Sequence, residues 1–335
     1  MTEILVIRPQ SNQLGDTICT LPMYKALKEK YTDSRITLVG CPTNYAVDLK
    51  KLNPYLDEII IYSRESYGVL FNFIKSLRGK KYDIVLVPSS IRMSYTSYVI
   101  ALLAKGSLKA GVGRMDGEKN RLKFFLDVKP EYDWKKNRVH QVSRFLDSAR
   151  SLGCVMTDDE AGKMRIELPE EDRRFADLFM SSNFKDKNRK VVGFHPGAGQ
   201  KINTWNLHNY IELIKKIYES SNPYILISSG VIDGDITGRL RAALDENGVK
   251  YCMMSGISLF ETAAVLSRLD LLVTNNTGIM HLASYCGTPT AAFFYKDDAS
   301  EWGPFFRKGE MLESSSMDIN EISVSAAYEK VLKYL

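Results

Sequence analysis

The chain has 335 residues, which exceeds what one hydrophobic core usually supports, so we expect two domains. Its 44% hydrophobic and 25% charged residues are typical of an ordinary globular protein, and no run of 18 apolar residues predicts a membrane span. The five cysteines are scattered without a Cys-x-x-Cys pair, which argues against a disulfide framework and a zinc site. Because residues 1–10 lack the features of a signal peptide, we expect a cytoplasmic protein.

The formal net charge of +5 is unevenly distributed along the chain. Residues 101–150 contain 12 Lys and Arg against 6 Asp and Glu, a surplus of +6 (12 − 6), so the remainder is close to neutral. A basic segment of this kind suggests an anionic partner, namely a phosphorylated glycan, lipid headgroups or nucleic acid. Nucleic acid is the weakest of these because no nucleic-acid-binding motif accompanies the charge. A solvated surface without any partner would explain the same charge.

The N-terminal half alternates strand-like and helix-like segments. Its predicted strands are Ile4–Ile7, Ile36–Val39, Ile59–Tyr62 and Ile84–Val87. Helices are predicted at Asp16–Tyr31, Tyr45–Leu52, Tyr67–Leu77, Tyr95–Ala104 and Val142–Leu152, with a loop of little regular structure at Lys105–Lys123. Continuous β-branched strands separated by amphipathic helices predict a parallel, doubly wound α/β sheet.

A second alternating series follows a helix that begins near Pro169. Its five predicted strands are Val191–Phe194, Tyr224–Ile227, Tyr251–Met254, Leu271–Thr274 and Ala291–Phe294. Ser258 and Glu261 form the pattern of a capping box and fix one helix start. Two successive α/β sheets predict a ligand cleft between domains, facing the carboxyl ends of the strands. The final segment, Val324–Leu335, has a one-faced apolar stripe that needs a surface to dock on.

The loop after the first strand, Arg8–Thr17, offers one candidate catalytic group. A carboxylate in a dry cleft can act as a general base, and Asp16 has the position for that role. Asp is also among the best helix N-caps, and capping alone would explain its place before the first helix. The two roles do not exclude each other.

The loop His195–Trp205 follows the first strand of the second series. Its glycines, Gly199 among them, would let backbone amides approach a phosphate, and Lys201 could add positive charge. A simple turn with a solvated lysine is the alternative. The spacing is not G-x-G-x-x-G and no Walker sequence occurs, so a nicotinamide-dependent dehydrogenase and a P-loop enzyme both lose support.

The most informative stretch is Leu271–Pro289, which predicts a buried strand, a polar turn and a short helix closed by Gly287. Backbone amides at the start of a helix have no partner inside it, which suits a phosphate or diphosphate. His281 lies within this helix, where a packed, hydrogen-bonded histidine is the ordinary explanation. Asp233, after another strand, could bind ribose hydroxyls or belong to a solvated turn.

Together these motifs resemble glycosyltransferase family 9, the bacterial ADP-heptose:lipopolysaccharide heptosyltransferases. The stretch from Ser258 to Pro289 carries the most specific of these motifs, and the similarity runs almost from end to end. The motifs that carry the resemblance are Leu14–Pro22, His140–Val142, His195–Gly199 with Trp205, Ser258–Leu259, Asn275–Ala283, Gly287–Pro289 and Trp302–Pro304.

The resemblance implies a GT-B fold, in which two Rossmann-like doubly wound parallel-sheet domains face each other across a cleft. The domains would be residues 1–168, which bind the acceptor, and residues 169–318, which bind a nucleotide sugar. A terminal helix in residues 319–335 would pack back toward the first domain. It further implies an inverting, metal-independent sugar transfer to a lipopolysaccharide-core-like or other cell-surface glycan, with no cofactor and with peripheral contact at the cytoplasmic membrane face.

By the same resemblance, Asp16 is the base, and the acceptor site, otherwise unknown, would involve the basic residues 101–150. The implied donor-binding residues are Gly199, Lys201, Asp233, Asn276, Thr277, Gly278, Ile279, Met280 and His281.

Two positions depart from the family pattern. Asn203 lies where the motif usually has lysine, and Asn276 lies where it usually has aspartate. The loss of the acid at Asn276 puts heptose in doubt more than sugar transfer itself. Both departures leave open a non-catalytic nucleotide-sugar-binding protein, and another GT-B enzyme such as a nucleotide-sugar epimerase is a further alternative.

Overall fold

The computed structural model describes residues 1–9, 13–41, 50–230, 234–307 and 309–335. The chain divides into two compact units, Met1–Ala161 and Gly162–Leu335. The boundary predicted at 168/169 lies a few residues further along. Most of the helix predicted at Tyr45–Leu52 lies outside the described residues. Among the described helices, none combines the length and hydropathy needed to cross a bilayer.

The first unit is built on a five-stranded sheet whose neighbouring strands all run parallel. The elements up to the border between the units are β1 (Thr2–Ile7), α1 (Leu14–Lys30), β2 (Ser34–Gly40), β3 (Glu58–Ile61), α2 (Tyr67–Gly79), β4 (Tyr82–Val87), α3 (Tyr95–Leu103), β5 (Gly106–Gly111), β6 (Arg114–Met115), β7 (Glu118–Lys119), β8 (Glu131–Tyr132), α4 (Gln141–Arg150) and α5 (Asp158–Gly162). The strand order is β3-β2-β1-β4-β5, so the direction of winding reverses between β1 and β4. Strands β6 to β8 form a separate small sheet.

Helix α1 is buried on nearly all sides, because its apolar residues surround the whole helix axis. It begins at Leu14, two residues before the predicted start, and includes Pro22 in its interior. It packs against α4.

Strand β5 was not expected, because Gly106–Gly111 falls inside the segment predicted as loop. Its sequence, Gly-Ser-Leu-Lys-Ala-Gly, lacks the alternating or continuous apolar pattern of a strand. The structure explains the glycines: a Cβ at Gly106 would lie 2.5 Å from a methyl group of Val85, and one at Gly111 would lie 2.8 Å from the ring of Tyr98. Close packing against β4 and α3 therefore requires residues that look like a loop in sequence.

The second unit contains a six-stranded parallel sheet in the order β11-β10-β9-β12-β13-β14. Its elements are α6 (Glu170–Asn183), β9 (Val191–His195), α7 (Leu207–Ser221), β10 (Tyr224–Ser228), α8 (Gly234–Glu246), β11 (Tyr251–Met254), α9 (Leu259–Leu266), β12 (Leu271–Asn275), α10 (Gly278–Cys286), β13 (Thr290–Phe294), α11 (Ala299–Trp302), β14 (Glu310–Glu313) and α12 (Val324–Val331). All five predicted strands are present. The capping box is also present: Ser258 Oγ accepts from the Glu261 amide at 3.1 Å, and the Glu261 carboxylate accepts from the Ser258 amide at 2.7 Å.

The terminal helix, α12, packs on α7 and β14 of its own unit. Ala327 and Val331 are fully buried in the core that this unit builds under its sheet. Strand β14 extends the second sheet, and the chain then returns onto α7. The contact of this terminal segment with the first domain, which the resemblance implies, stays a prediction.

Candidate functional site

Only Asn276 and Thr277 separate the last residue of β12 from the first residue of α10. Thr277 is the N-cap of α10, with an extended backbone at φ −144°. The amides of Gly278, Ile279 and Met280 lie in the first helical turn, where no carbonyl of the same helix can reach them. These amides carry partial positive charge and suit an anionic group such as a phosphate. The predicted strand, turn and helix are thus present, and Gly287 ends the helix in the left-handed conformation at φ 86°.

The hydroxyl group of Thr277 has a distinctive environment. Its Oγ1 atom is buried without a hydrogen-bond partner among the described residues, and the side chain does not cap α10. A buried hydroxyl left in this state costs about 1–3 kcal/mol. A ligand oxygen next to the helix start would remove that cost, so the hydroxyl and the helix amides favour the same kind of ligand.

The side chain of Asn275 holds the neighbouring loop against this turn. Asn275 is fully buried, and its Nδ2 donates to the carbonyls of Pro196, at 2.8 Å, and Gly197, at 3.2 Å. Its Oδ1 accepts from the amide of Trp205 at 3.0 Å. One amide side chain therefore ties both ends of the loop after β9 to the end of β12.

These two loops lie at the point where the winding of the second sheet reverses. Strands β9 and β12 are neighbours, and Thr274 is the register partner of His195, the last residue of β9. In open α/β sheets, ligands bind at the carboxyl ends of strands at this switch point. His195 itself is buried, with Nδ1 3.2 Å from the carbonyl of Ser228. The fold therefore indicates that the loops after β9 and β12 form the ligand site of the second unit.

The loop between β9 and α7 exposes two of the predicted site residues. Lys201 is solvent-exposed and forms no ion pair with any residue that the structure describes. A Cβ at Gly199 would meet no atom within 4 Å, so packing does not require glycine there. Asn203, at the position where the family motif has lysine, has a buried Oδ1 that finds no partner within the described residues. Each of these features leaves the loop able to take a polar ligand.

Trp205 anchors the far end of the same loop. Its ring is fully buried and stacks on Phe293 with the centroids 4.1 Å apart. It also meets Tyr210 edge-on, and its indole N–H donates to the carbonyl of Ile322 at 3.0 Å. The tryptophan of the motif is therefore a packing residue that fixes the loop to the core.

Asn276 uses its side-chain amide in a different way from Asn275. Its Nδ2 donates to Oδ2 of Asp298 at 2.7 Å. Asp298 follows β13 and is only 6% exposed. Burial raises the pKa of Asp298 to about 6; hydrogen bonds from Asn276 and Tyr295 oppose this shift, and the nearby acids of α11 and β14 add to it. Sequence reasoning missed Asp298, although an acid just after a parallel strand is a recognisable signal.

His281 and Asp233 are the two remaining residues that were predicted to bind the donor. His281 is buried, and its ring meets Trp302 edge-on at 6.2 Å, which agrees with the packed histidine considered from sequence. Asp233 lies outside the described residues, and α8 begins immediately after it. A ribose-binding role for Asp233 and a donor-binding role for His281 both stay predictions.

In the first unit, Asp16 is the third residue of α1 and is 7% exposed. Gln13 occupies the N-cap, so Asp16 is not the cap that the sequence suggested. Its carboxylate lies in the first turn, where the helix dipole favours negative charge. Arg8, at the end of β1, has Nη2 3.8 Å from Asp16 Oδ1, and its guanidinium lies 5.2 Å from the ring centroid of Phe145. Sequence reasoning missed this arginine, which lies beside the carboxylate.

The His140–Val142 motif begins α4. His140 is the N-cap, and its Nδ1 accepts from the amide of Val142 at 3.1 Å. One turn further, Arg144 is buried and donates to the carbonyls of Val139, at 2.8 Å, and Ser90, at 3.0 Å. His140 thus caps the start of α4, and Arg144 connects this helix to the loop that contains Ser90.

The basic segment 101–150 is less cationic at its surface than its sequence suggests. Arg114 pairs with Glu131 at 2.8 Å, and Arg150 pairs with Asp158 at 2.6 Å. Arg144 is buried. Part of the surplus charge is therefore neutralised locally or withdrawn from solvent. Within the described part of the chain, no group of three His, Cys, Asp or Glu side chains is arranged to hold a metal ion.

Two Rossmann-like units of this kind define the GT-B class of fold, as the sequence motifs predicted. The solved structure of glycosyltransferase family 9 from Veillonella parvula DSM 2008 is similar, with a TM-score of 0.78 at 19% identity, covering 99% of this chain and 97% of that one. E. coli heptosyltransferase WaaC with ADP gives a TM-score of 0.73 at 17% identity, with 100% of both chains covered.

The chain belongs to glycosyltransferase family 9 (heptosyltransferase), whose family model matches residues 70–330. Lipopolysaccharide heptosyltransferase 2 of Escherichia coli strain K12 is 22% identical over 323 residues, which covers 92% of this chain and 87% of the relative. The family predicted from the motifs is confirmed, and the protein is a glycosyltransferase.

Proposed function

We propose that this glycosyltransferase moves heptose or a related sugar from an ADP-linked donor to a hydroxyl of a lipopolysaccharide-core-like or other cell-surface glycan, with inversion and without a metal. The observation that carries the proposal is the start of α10, where no residue that the structure describes pairs with the first-turn amides or with the buried Thr277 hydroxyl, so both can bind an anionic ligand. The name of the E. coli relative supports a lipopolysaccharide acceptor, and the ADP bound to WaaC supports the nucleotide.

The donor diphosphate would lie at the start of α10. As the bond to the sugar breaks, its electron pair passes to the diphosphate, which gains negative charge. The amides of Gly278 to Met280 are already oriented toward that charge and need no reorganisation, and Lys201 adds a positive charge. Fixed dipoles and a cation thus supply the stabilisation that a metal ion supplies in other glycosyl transfers.

Asp16 would act on the acceptor. Its carboxylate takes the proton of the acceptor hydroxyl while that oxygen attacks the anomeric carbon, through an oxocarbenium-like state. Attack on the face opposite the departing diphosphate inverts the anomeric configuration. Arg8, 3.8 Å from the carboxylate, limits the orientations that Asp16 can adopt.

A thermal-shift panel of ADP-, UDP-, GDP- and dTDP-linked sugars tests the donor. We expect ADP-sugars to raise the melting temperature most, because binding to the folded state alone stabilises it by mass action. Purified protein in EDTA should give the same ranking. A panel in which no nucleotide sugar stabilises the protein would contradict the proposal.

A non-catalytic nucleotide-sugar-binding protein is the alternative that Asn203 and Asn276 favour, since both differ from the family motif. It predicts the same thermal shifts but no transfer to any acceptor. An epimerase would instead convert the donor when no acceptor is present. Product analysis by NMR, with and without a core-oligosaccharide acceptor, distinguishes the three functions.

Peripheral membrane contact is supported best by the exposed faces of α2 and α3, which pack against each other. Tyr67 and Phe71 of α2 are 96% and 67% exposed, and Val99 of α3 is 46% exposed. From Tyr67 to Lys109 the chain has seven Lys and Arg and one acid. Apolar side chains among cations on a helical surface are the pattern of binding to anionic lipid headgroups.

We therefore expect sedimentation with phosphatidylglycerol vesicles but not with phosphatidylcholine vesicles, with binding that falls as salt is raised. Phe71→Ser with Val99→Ser should weaken this binding by about tenfold or more, since each exposed apolar side chain contributes about 1 kcal/mol or more at an interface. Leu178→Ser, a matched change at an exposed position of α6, is the control. Binding that ignores both salt and the double substitution would contradict membrane contact through this face.

A further inference from the structure

The carboxylate of Asp298 accepts a hydrogen bond from the side chain of Asn276 and none from the amides of its own helix. Asp298 is the N-cap of α11, a position where Asp normally accepts from helix amides, but it makes no side-chain cap hydrogen bond. Its Oδ2 instead accepts from Asn276 Nδ2 at 2.7 Å, and the Tyr295 hydroxyl also donates to the carboxylate. An ordinary capping role therefore does not explain this residue.

The position of Asp298 is also costly for stability. It is buried, and no Lys or Arg among the described residues forms an ion pair with it. Glu301 and Glu313 face the same group and raise its pKa further. Removing a carboxylate from water without a cation is unfavourable, so its presence calls for a reason other than folding.

The consequence for Asn276 is a fixed orientation. A lone asparagine can present either its NH2 group or its carbonyl oxygen, because the two ends are similar in shape. Here the NH2 group is held by Asp298, so Oδ1 is the atom that remains to accept a hydrogen bond. The structure gives Oδ1 no such bond within the described residues.

The position of Asn276 in the chain indicates which ligand group its Oδ1 atom would bind. Asn276 immediately precedes Thr277, the N-cap of the helix whose amides suit a diphosphate. In a nucleotide sugar, the sugar is bonded directly to that diphosphate. A side chain beside the phosphate-binding turn is therefore within reach of sugar hydroxyls, which donate to a carbonyl oxygen.

We propose that Asp298 is a positioning residue for donor-sugar recognition: it holds the Asn276 amide so that Oδ1 accepts from a hydroxyl of the sugar, and it keeps at position 298 the negative charge that Asn276 lacks. This inference rests on the proposed function. It also accounts for the family departure at Asn276, since the acceptor character is retained while the charge has moved to the neighbouring loop.

The test compares binding of ADP with binding of an ADP-sugar that stabilises the wild type, by calorimetry. In Asp298→Asn, position 298 can donate as well as accept, so the orientation of Asn276 is no longer fixed. We expect ADP affinity within about twofold of wild type and ADP-sugar affinity reduced about tenfold, the loss of one well-placed hydrogen bond. Asp297→Asn, the same change at the adjacent exposed residue, should affect neither affinity.

The exchange variant Asn276→Asp with Asp298→Asn provides the rescue. The pair is rebuilt with its polarity reversed, because the amide introduced at position 298 now donates to the carboxylate at position 276, which still accepts from the sugar. We expect the preference for ADP-sugar over ADP to return. Asn276→Asp alone places two carboxylates in contact, so its ADP-sugar binding should weaken as pH rises.

The melting temperature separates this role from a structural one. Because the folded state favours protonated Asp298, the contribution of this residue to wild-type stability is most favourable below the ordinary pKa of about 4 and is lost as pH rises through about 6. Asp298→Asn lacks this loss, so it should melt above wild type at pH 8 while binding the sugar less tightly. Equal losses of ADP and ADP-sugar affinity, or an exchange variant without recovered preference, would overturn the inference. A wild type that binds no nucleotide sugar would instead overturn the proposed function.

Discussion

Asp16→Asn should reduce sugar transfer by about 10²- to 10⁴-fold, the usual contribution of a general base, while ADP affinity stays close to wild type. The amide has nearly the same shape as the carboxylate but cannot take the acceptor proton. The measurement is the initial rate of transfer with saturating donor, together with the dissociation constant of ADP by calorimetry.

The control for this substitution lies in the same helix. Glu29→Gln removes an exposed carboxylate from α1 and should leave the rate unchanged. Because Asp16 is buried and its carboxylate lies beside Arg8, the melting temperature of Asp16→Asn is measured together with the rate. A variant that is folded at the assay temperature and still transfers slowly has lost the base and not the fold. Full activity of Asp16→Asn would remove Asp16 from the role of base.

Asn275→Ala should lower the free energy of unfolding by about 2–5 kcal/mol, because it leaves three buried backbone groups without their partner. Those groups are the carbonyls of Pro196 and Gly197 and the amide of Trp205. Urea denaturation should show a lower midpoint at an unchanged slope. Since the same bonds hold the loop beside α10, ADP should also bind more weakly.

Asn203→Ala is the matched control within that loop. Its Oδ1 has no partner among the described residues, so the same truncation should change stability by about 0.5 kcal/mol or less. If Asn275→Ala were as mild as Asn203→Ala, the hydrogen bonds from Asn275 would not be what holds the loop.

Much of the fold could be predicted because its determinants are local. Runs such as Leu271–Thr274 are too short for a helix and too apolar for a surface strand, and Gly287 is what a helix needs to end in the left-handed conformation. The capping box of Ser258 and Glu261 has both partners within one turn. Strand β5 was missed because its glycines are required by close packing against Val85 and Tyr98, which lie elsewhere in the sequence.

The site was predicted in outline for the same reason. The turn from Asn276 to Met280 was identified because strand, turn and helix are contiguous in the chain. The role of Asn275 could not be predicted, since its side chain binds Pro196, 79 residues earlier. The bond from Asn276 to Asp298 spans 22 residues and depends on β12 and β13 being neighbours in the sheet. Pairings of this kind follow from tertiary structure and leave no local pattern.

The central claim is that the start of α10 binds the diphosphate of the donor, and a crystal structure of the protein with ADP tests it most directly. The account predicts phosphate oxygens within hydrogen-bonding distance of the Gly278 to Met280 amides, with Thr277 Oγ1 donating to one of them. ADP bound with its phosphates away from this turn, and with the Thr277 hydroxyl still unpartnered, would contradict it.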